Sequence, residues 1–219
     1  MHRIGAGVPR HAGQRAPLRL YKGQNQIWNN EWYEHEYRIV ECLALLLQWY
    51  ERRRALFDEV KEVCQRLQIF KDIEVKIETV GIPEKRTKAP AYEGQVLVDR
   101  VNLGCLSDGT LRVMEIVIRL IDPATTVLLL EEPETGIHPG LLHRLLAELE
   151  AYAREKQIVF STHAPGLLNW AKPEDVRLVE RTDGVTSVRR LTEEELHRVR
   201  IYLDDDLGLS DFVFSGALG

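Results

Sequence analysis

One stretch of this chain, Thr126 to Pro139, constrains the fold more than any other. It contains an unbroken apolar run, Val127 to Leu130, which is typical of a strand buried on both faces of a parallel sheet. Two adjacent carboxylates, Glu131 and Glu132, follow the run, and Pro133 ends the strand. Like charges this close together repel each other, so stability does not account for the pair. Because open α/β sheets place their ligand sites at the carboxyl ends of strands, we expect a functional site here rather than a plain solvated turn.

Composition excludes several classes of protein. Of the 219 residues, 44% are hydrophobic and 29% are charged, which is typical of a soluble globular protein with one large domain or two small ones. No apolar run approaches the roughly 20 residues of a membrane helix, and we see no signal-peptide pattern. Cys42, Cys64 and Cys105 are scattered and fit buried thiols in a reducing compartment better than disulfides or a metal site. We therefore expect a cytoplasmic protein.

The first 30 residues differ from the rest in charge. They contain five basic residues and no acidic one, whereas the whole chain has a formal net charge of −5. A basic arm that binds phosphates and a poorly ordered terminal segment both fit this composition, and we expect the second. The predicted organisation is therefore a basic segment over 1–30, a helical arm with a strand and turn region over 31–93, and a further lobe over 94–219.

The middle region combines helical and strand patterns. From about residue 31 to 68, apolar residues recur every three or four positions, which predicts one or two amphipathic helices, with Arg53 interrupting the apolar stripe. Residues 72–80 and 95–101 alternate apolar and polar side chains, which predicts two strands. A polar turn region rich in glycine and proline joins them.

A helix is predicted to begin near Ser107. Residues 106–120 start with Ser107, Asp108 and Gly109 and continue with apolar residues at helical spacing. Serine is a typical N-cap residue. Small residues at a helix start leave backbone N–H groups open to an anion, which the helix dipole favours. Many helices begin with serine and glycine, so this pattern alone does not establish a binding site.

A second buried strand is predicted after the central one. Residues 140–156 have strong helical periodicity, and the apolar run 157–160 leads into a Ser-Thr-His sequence that ends at His163. A strand–helix–strand order of this kind forms a right-handed crossover between parallel neighbours. We therefore expect Glu132 and His163 to open onto the same edge of the sheet, although a lone histidine there would more often be structural.

The C-terminal part has local signals for a hairpin and a helix. Residues 176–180 and 186–191 predict two strands around the Asp-Gly pair at 183–184. Thr192 and Glu195 have the spacing of a capping box, which predicts a helix from that point. The sequence then ends in an acidic and an apolar stretch for which the pattern predicts no element.

Three short motifs stand in a fixed order: LSDGT at 106–110, LLLEEPE at 128–134 and STHAP at 161–165. Together they resemble the C-terminal lobe of ABC-type ATPase heads, and most closely the predicted AAA-type ATPases related to RecF, the chromosome-maintenance proteins and OLD-type nucleases. The resemblance covers about residues 95–219. It implies an α/β fold, with the parallel-sheet core of a P-loop NTPase lobe next to a helical arm.

The resemblance implies ATP and Mg²⁺ as cofactors and a second ATPase head as partner. Ser107, Asp108 and Gly109 match the signature that binds the γ-phosphate of ATP held by that second head. Residues 135–138 occupy the position of the loop that faces the dimer. The protein would then act as a homodimer or a heterodimer.

The resemblance also implies the catalytic residues. Glu131 matches the Walker B acid that lies near Mg²⁺, through water, and Glu132 matches the base that polarises the attacking water. His163 matches the switch histidine that contacts the γ-phosphate. Phosphoryl transfer depends on positioning, charge neutralisation and a water-orienting carboxylate, so these residue types suit that chemistry.

The sequence departs from the family pattern in two ways. Glu131 stands where aspartate is commoner. More seriously, the Walker A sequence G-x-x-x-x-G-K-[ST] does not occur, and the glycine-rich stretch at 4–14 has no lysine followed by serine or threonine. Nothing in this sequence would therefore cradle the α- and β-phosphates. We interpret the chain as part of a head whose Walker A lobe is truncated, separately encoded or lost.

Two functions remain open from the sequence. The first is an ATP-binding and ATP-hydrolysing head fragment in DNA repair or phage defence, which needs a Walker A lobe in trans, has DNA as a further partner and has no membrane partner. The isolated chain would then be inactive. The second is a degenerate, non-catalytic head that acts as a docking module on a complete ATPase.

Overall fold

The computed structural model describes residues 4–7, 19–22, 34–79, 92–204 and 207–215. The helices are α1 (Glu34–Arg52), α2 (Arg54–Arg66), α3 (Asp108–Ile121), α4 (Pro139–Tyr152), α5 (Pro165–Trp170), α6 (Glu193–Asp204) and α7 (Leu209–Phe214). The strands are β1 (Ile4–Gly7), β2 (Arg19–Lys22), β3 (Ile73–Thr79), β4 (Tyr92–Val98), β5 (Val101–Asn102), β6 (Val127–Glu131), β7 (Gln157–Ser161), β8 (Arg177–Thr182) and β9 (Val185–Arg190). The fold is mixed α/β, as the sequence predicts.

The chain forms two compact units. The first unit comprises Met1–Leu128 with Gly136–Val159, and the second comprises Leu129–Thr135 with Phe160–Gly219. The boundary therefore crosses the central motif, because β6 begins in the first unit and the turn after it lies in the second.

The first unit contains an antiparallel sheet in the order β1-β2-β4-β3, and β5 pairs with β4. The two strands predicted from alternation are β3 and β4, which pair from Ile73 opposite Val98 to Thr79 opposite Tyr92. Strands β1 and β2 lie in the segment for which we expected little order. Most of the polar turn between β3 and β4 lies outside the described residues.

The helices of the first unit form its apolar core. Arg53 lies between α1 and α2, and its φ of −141° is not helical. The predicted helical stretch is therefore two helices. Phe57 and Val60 on α2 are fully buried, and so are Val113 and Val117 on α3. The core therefore consists of the apolar faces that the periodicity indicates. Within the described ranges, no helix is both long and apolar enough to cross a bilayer.

Strands β6 and β7 pair as predicted and form a two-stranded sheet. Gln157 N donates a hydrogen bond to Thr126 O, and Glu132 N donates one to Ser161 O, each at 3.0 Å. The starts of the two strands are thus joined to each other, and so are their ends, which makes the pair parallel. Helix α4 connects them and completes the predicted strand–helix–strand unit.

The prediction that both strands are buried on both faces is wrong. Leu128 is buried, but the side chains that alternate with it in β6 are exposed, and Leu129 is 73% exposed. In β7, Val159 is exposed as well. A complete parallel sheet would bury all the side chains of this apolar run, whereas the described residues cover only one face of the pair.

The second unit contains the predicted C-terminal hairpin and helix. Strands β8 and β9 pair antiparallel from Arg177 opposite Arg190 to Thr182 opposite Val185. Asp183 and Gly184 both have positive φ, 53° and 81°, as a type I′ turn requires.

The core of the second unit brings together residues from the hairpin and the last two helices: Leu178, Leu191, Val199, Leu209 and Phe212. The capping box at the start of α6 is present, because Glu195 N donates to Thr192 Oγ1 and Thr192 N donates to Glu195 Oε2. Helix α7 was not predicted. Its six residues are too few to show a helical period, yet Phe212 is fully buried.

Candidate functional site

The turn after β6 holds Glu132 in an unusual backbone conformation. Glu132 has φ 44°, in the left-handed region that residues other than glycine seldom adopt. Its N–H donates to Ser161 O and its carbonyl accepts from Thr135 N, both at 3.0 Å. These two bonds hold a conformation that costs about 1–2 kcal/mol by itself. Such strain is typical of functional sites, and here it lies at the carboxyl end of a parallel strand.

The Glu132 side chain contacts His163. Glu132 Oε1 and His163 Nδ1 lie 2.8 Å apart and share a hydrogen bond. The imidazole is 83% exposed, while the carboxylate is less accessible. This bond, together with the negative charge of Glu132, raises the pKa of His163 and favours its protonated form. The structure thus brings together the two residues predicted to act in catalysis.

Glu134 is a third charged residue of this site, and the sequence analysis did not single it out. Glu134 Oε1 accepts a hydrogen bond of 2.6 Å from Thr162 Oγ1. Thr162 Oγ1 in turn accepts one of 2.9 Å from Ala164 N, so the residues on both sides of His163 are anchored. The only sequence signal was a further acid two positions after Glu132, across a proline.

The environment of Glu134 favours its charged form. Burial acts to raise the pKa of this carboxyl, but the hydrogen bond from Thr162 and bonds within the turn outweigh it and lower the pKa. Glu134 Oε2 is buried and has no hydrogen-bond partner among the described residues. Buried carboxylate oxygens normally have a partner, so this atom has capacity for one more ligand.

Glu132, Glu134 and His163 could together hold a metal ion. Each offers one donor atom, and the three atoms lie within 4.8 Å of one another. All three belong to the second unit. Glu131, which the resemblance places near Mg²⁺, is the exposed last residue of β6 and is not in this donor group.

The predicted signature residues begin α3 in the first unit. Ser107 is the N-cap, and its Oγ accepts a 3.2 Å hydrogen bond from Thr110 N, as expected. Ser107 and Asp108 are exposed. Both residues therefore face solvent at the end of the helix where the dipole favours an anion.

Gly109 fits closely against the loop before α4. A Cβ atom added at Gly109 would lie 2.3 Å from the carbonyl oxygen of Gly136, which itself has φ 74°. No side chain can occupy that space unless the backbone moves. The close approach of Gly136, in the loop that the resemblance assigns to dimer contacts, therefore leaves room only for glycine at position 109.

Comparison with protein families gives one match. The family model described as "AAA domain, putative AbiEii toxin, Type IV TA system" matches residues 45–169, which is more than half of the chain. A comparison with curated protein sequences finds no match.

Comparison with solved structures finds head domains of Smc proteins. The Smc head from Pyrococcus furiosus with an extended coiled coil, bound to the C-terminal domain of ScpA, has a TM-score of 0.50 and 12% identity over 73% of this chain. An SmcHead bound to the C-winged helix domain of ScpA has a TM-score of 0.49 and 13% identity over 74% of this chain. This chain spans 40% of the first of these proteins and 51% of the second.

A third similar structure comes from work on ATP-driven dimerization and DNA-stimulated activation of SMC ATPases. It has a TM-score of 0.47 and 13% identity, and the match covers 73% of this chain and 96% of that one. At such low identity these structures bear on the fold alone. The Pyrococcus furiosus comparison supports the fold of an ATPase head.

Proposed function

Because this chain belongs to the AAA-domain family whose model it matches, we propose that it is the C-terminal lobe of an ABC-type ATPase head. Its reaction would be ATP hydrolysis, carried out together with a Walker A lobe on another segment or chain. The observation that carries the proposal is the contact between Glu132 and His163 at the carboxyl end of a parallel strand pair.

Each site residue has a role in this proposal. Glu132 orients and polarises the attacking water, and the hydrogen bond to His163 orients its carboxylate. His163 contacts the γ-phosphate, and the charge that Glu132 favours on the imidazole would stabilise developing negative charge there. Ser107, Asp108 and Gly109 bind the γ-phosphate of ATP on a second head, using the start of α3.

The carboxylates at and after the end of β6 fit the Mg²⁺ that this role requires. Carboxylate oxygens suit Mg²⁺, and the exposed Glu131 would hold it through water. When bound, Mg²⁺ neutralises charge on the phosphates of ATP. Glu134 Oε2, which is buried and has no hydrogen-bond partner among the described residues, is a further acceptor in the same turn.

The exposed sheet face supports the need for a second lobe. A parallel pair is normally covered on both faces, yet Leu129 is one of three exposed apolar side chains on β6 and β7. A Walker A lobe that packed on this face would bury these side chains. It would also supply the phosphate cradle that the sequence lacks.

Biological role and further partners follow only from the relatives. We place the protein in DNA repair or phage defence in the cytoplasm, with a second head and DNA as partners. Cys42 and Cys64 are buried thiols, as expected, which suits a reducing compartment, whereas Cys105 is exposed, contrary to the expectation. A docking module without catalysis is the alternative.

The test is ATP hydrolysis with and without a Walker A lobe of the same family, expressed as a separate chain. The isolated chain should show no specific hydrolysis, and the added lobe should create a Mg²⁺-dependent ATPase. Robust hydrolysis by the chain alone, abolished in Glu132→Gln, would show that it has its own phosphate cradle. No hydrolysis in any mixture, with tight binding to the lobe, would support the docking module.

A further inference from the structure

The cluster of Glu132, Glu134 and His163 differs from the magnesium site that the family resemblance implies. It contains an imidazole, it excludes Glu131, and its donor atoms belong to a single unit of the fold. Its carboxylates are only partly accessible, whereas the histidine is open to solvent. The cluster can therefore be reached from solvent and needs no nucleotide to complete it.

Donor chemistry indicates the class of cation. Mg²⁺ prefers oxygen ligands and near-ideal octahedral geometry, while Mn²⁺ and Zn²⁺ accept one imidazole nitrogen together with carboxylates. Bonds of about 2.0–2.2 Å place the ligand atoms of one cation roughly 3–4.4 Å apart. The atoms here lie within 4.8 Å of one another, so side-chain movement without a change of the backbone would bring them to these separations.

Neighbouring residues also orient the carboxylates of this cluster. Thr162 holds one oxygen of Glu134, and the other oxygen is buried without a hydrogen-bond partner among the described residues. A ligating carboxylate that is oriented by an outer hydrogen bond is the usual arrangement around a protein-bound metal. The hydrogen bond to His163 orients the second carboxylate, that of Glu132.

We infer that Glu132, Glu134 and His163 bind a divalent cation of the Mn²⁺ or Zn²⁺ class directly, in the absence of nucleotide. The cation takes the place of the hydrogen-bonded proton between Glu132 and His163, which is released to solvent. Where the proposed ATPase function holds, this inference adds regulation of the same site. A bound cation occupies both the water-orienting carboxylate and the switch histidine, so it holds the lobe inactive until it leaves.

The test is Mn²⁺ binding to the nucleotide-free chain, measured by titration calorimetry and by electron paramagnetic resonance. One site is expected, with Mg²⁺ binding at least 10-fold more weakly than Mn²⁺. Glu134→Gln and His163→Gln should each weaken Mn²⁺ binding by about 10–100-fold, as loss of a ligand or its support does. His163 is exposed, so its variant keeps the fold even if Glu134→Gln does not.

Two matched variants complete the experiment. Glu150→Gln removes an exposed carboxylate on α4 and should leave Mn²⁺ affinity unchanged. Glu131→Gln should also leave it unchanged, because this residue is outside the donor group. Loss of binding in Glu131→Gln with retention in Glu134→Gln and His163→Gln would overturn the inference, and so would equal binding of Mg²⁺. This experiment contains no nucleotide and no second lobe. A failure to bind Mn²⁺ would therefore leave the proposed ATPase function intact, and a failure of ATP hydrolysis would leave the cation site intact.

Discussion

At the scale of single residues, the left-handed backbone of Glu132 makes a prediction about stability. Glycine adopts φ 44° without strain, so Glu132→Gly should be more stable to unfolding than Glu132→Ala by about 1 kcal/mol. The same pair of changes at Glu131, the last residue of β6, should show the opposite order, because glycine weakens a strand. Denaturant unfolding of the four variants measures both differences. Equal ordering at the two positions would mean that Glu132 is not strained.

Glu195 makes a prediction about pH. Its carboxylate accepts two hydrogen bonds from Arg189, of 2.8 and 3.1 Å, and one of 2.7 Å from Thr192 N. The ion pair with Arg189, followed by the bond from Thr192, lowers the pKa of Glu195 from 4.5 to about 2. A pKa lowered by folding stabilises the folded state above the unfolded pKa, and the contribution is lost as pH falls towards 2.

Glu195→Gln should therefore reduce the free energy of unfolding by about 2–3 kcal/mol at pH 7, and by progressively less between about pH 5 and pH 2. The control is Glu194→Gln, which changes an exposed neighbour and should have little effect at any pH. Denaturant unfolding across this pH range measures both. A difference between wild type and Glu195→Gln that stays constant with pH would contradict the assignment.

At the scale of elements, two helix starts should respond oppositely to the same substitution. Alanine normally stabilises a helix relative to glycine by up to about 1 kcal/mol. Gly109→Ala in α3 should instead destabilise the protein, because the added Cβ would lie 2.3 Å from Gly136 O. Gly140→Ala in α4 should be neutral or stabilising, since the atom nearest to the added Cβ would be His138 Nδ1, at 3.5 Å. The melting temperatures of the two variants, each compared with that of the parent, test this prediction. A Gly109→Ala variant that melts no lower than the parent would contradict the close fit.

Helix α7 should be required for the stability of the second unit. Phe212 is fully buried in the core of that unit, whereas Phe214, two residues later, is 57% exposed. Phe212→Ala should cost about 3–5 kcal/mol, and Phe214→Ala should cost little. Protease sensitivity and thermal unfolding would show the difference. Similar losses in both variants would mean that α7 does not pack as described.

Periodicity explains which elements the sequence could predict. The order β6–α4–β7 follows from two apolar runs around an amphipathic helix, and the capping box marks the start of α6. Helix α7 is too short to show a period. Glu134 could not be found, because its bond to Thr162 depends on the pairing of β6 with β7, which brings together residues 28 positions apart. The exposed face of β6 could not be foreseen either. An apolar run indicates that a strand can be buried on both faces, but it does not indicate which other elements pack on those faces.

At the scale of the whole molecule, we propose a lobe that carries catalytic groups and lacks a phosphate cradle. The family match and the fold support an ATPase-like module. The exposed apolar side chains on β6 and β7 are where a second lobe would pack. Activity should therefore depend on the concentration of that lobe, as expected when a site is completed by association.

The most direct test follows the fate of nucleotide in the reconstituted head. With a Walker A lobe added, Glu132→Gln should bind ATP as tightly as the parent but hydrolyse it at least 100-fold more slowly, because a water-orienting carboxylate acts in the transition state. A single-turnover measurement with labelled ATP reports both quantities. Retained ATP with little ADP in Glu132→Gln, and rapid conversion to ADP by the parent, is the result that we predict. Equal rates for both proteins would show that Glu132 has no catalytic role and would contradict the account.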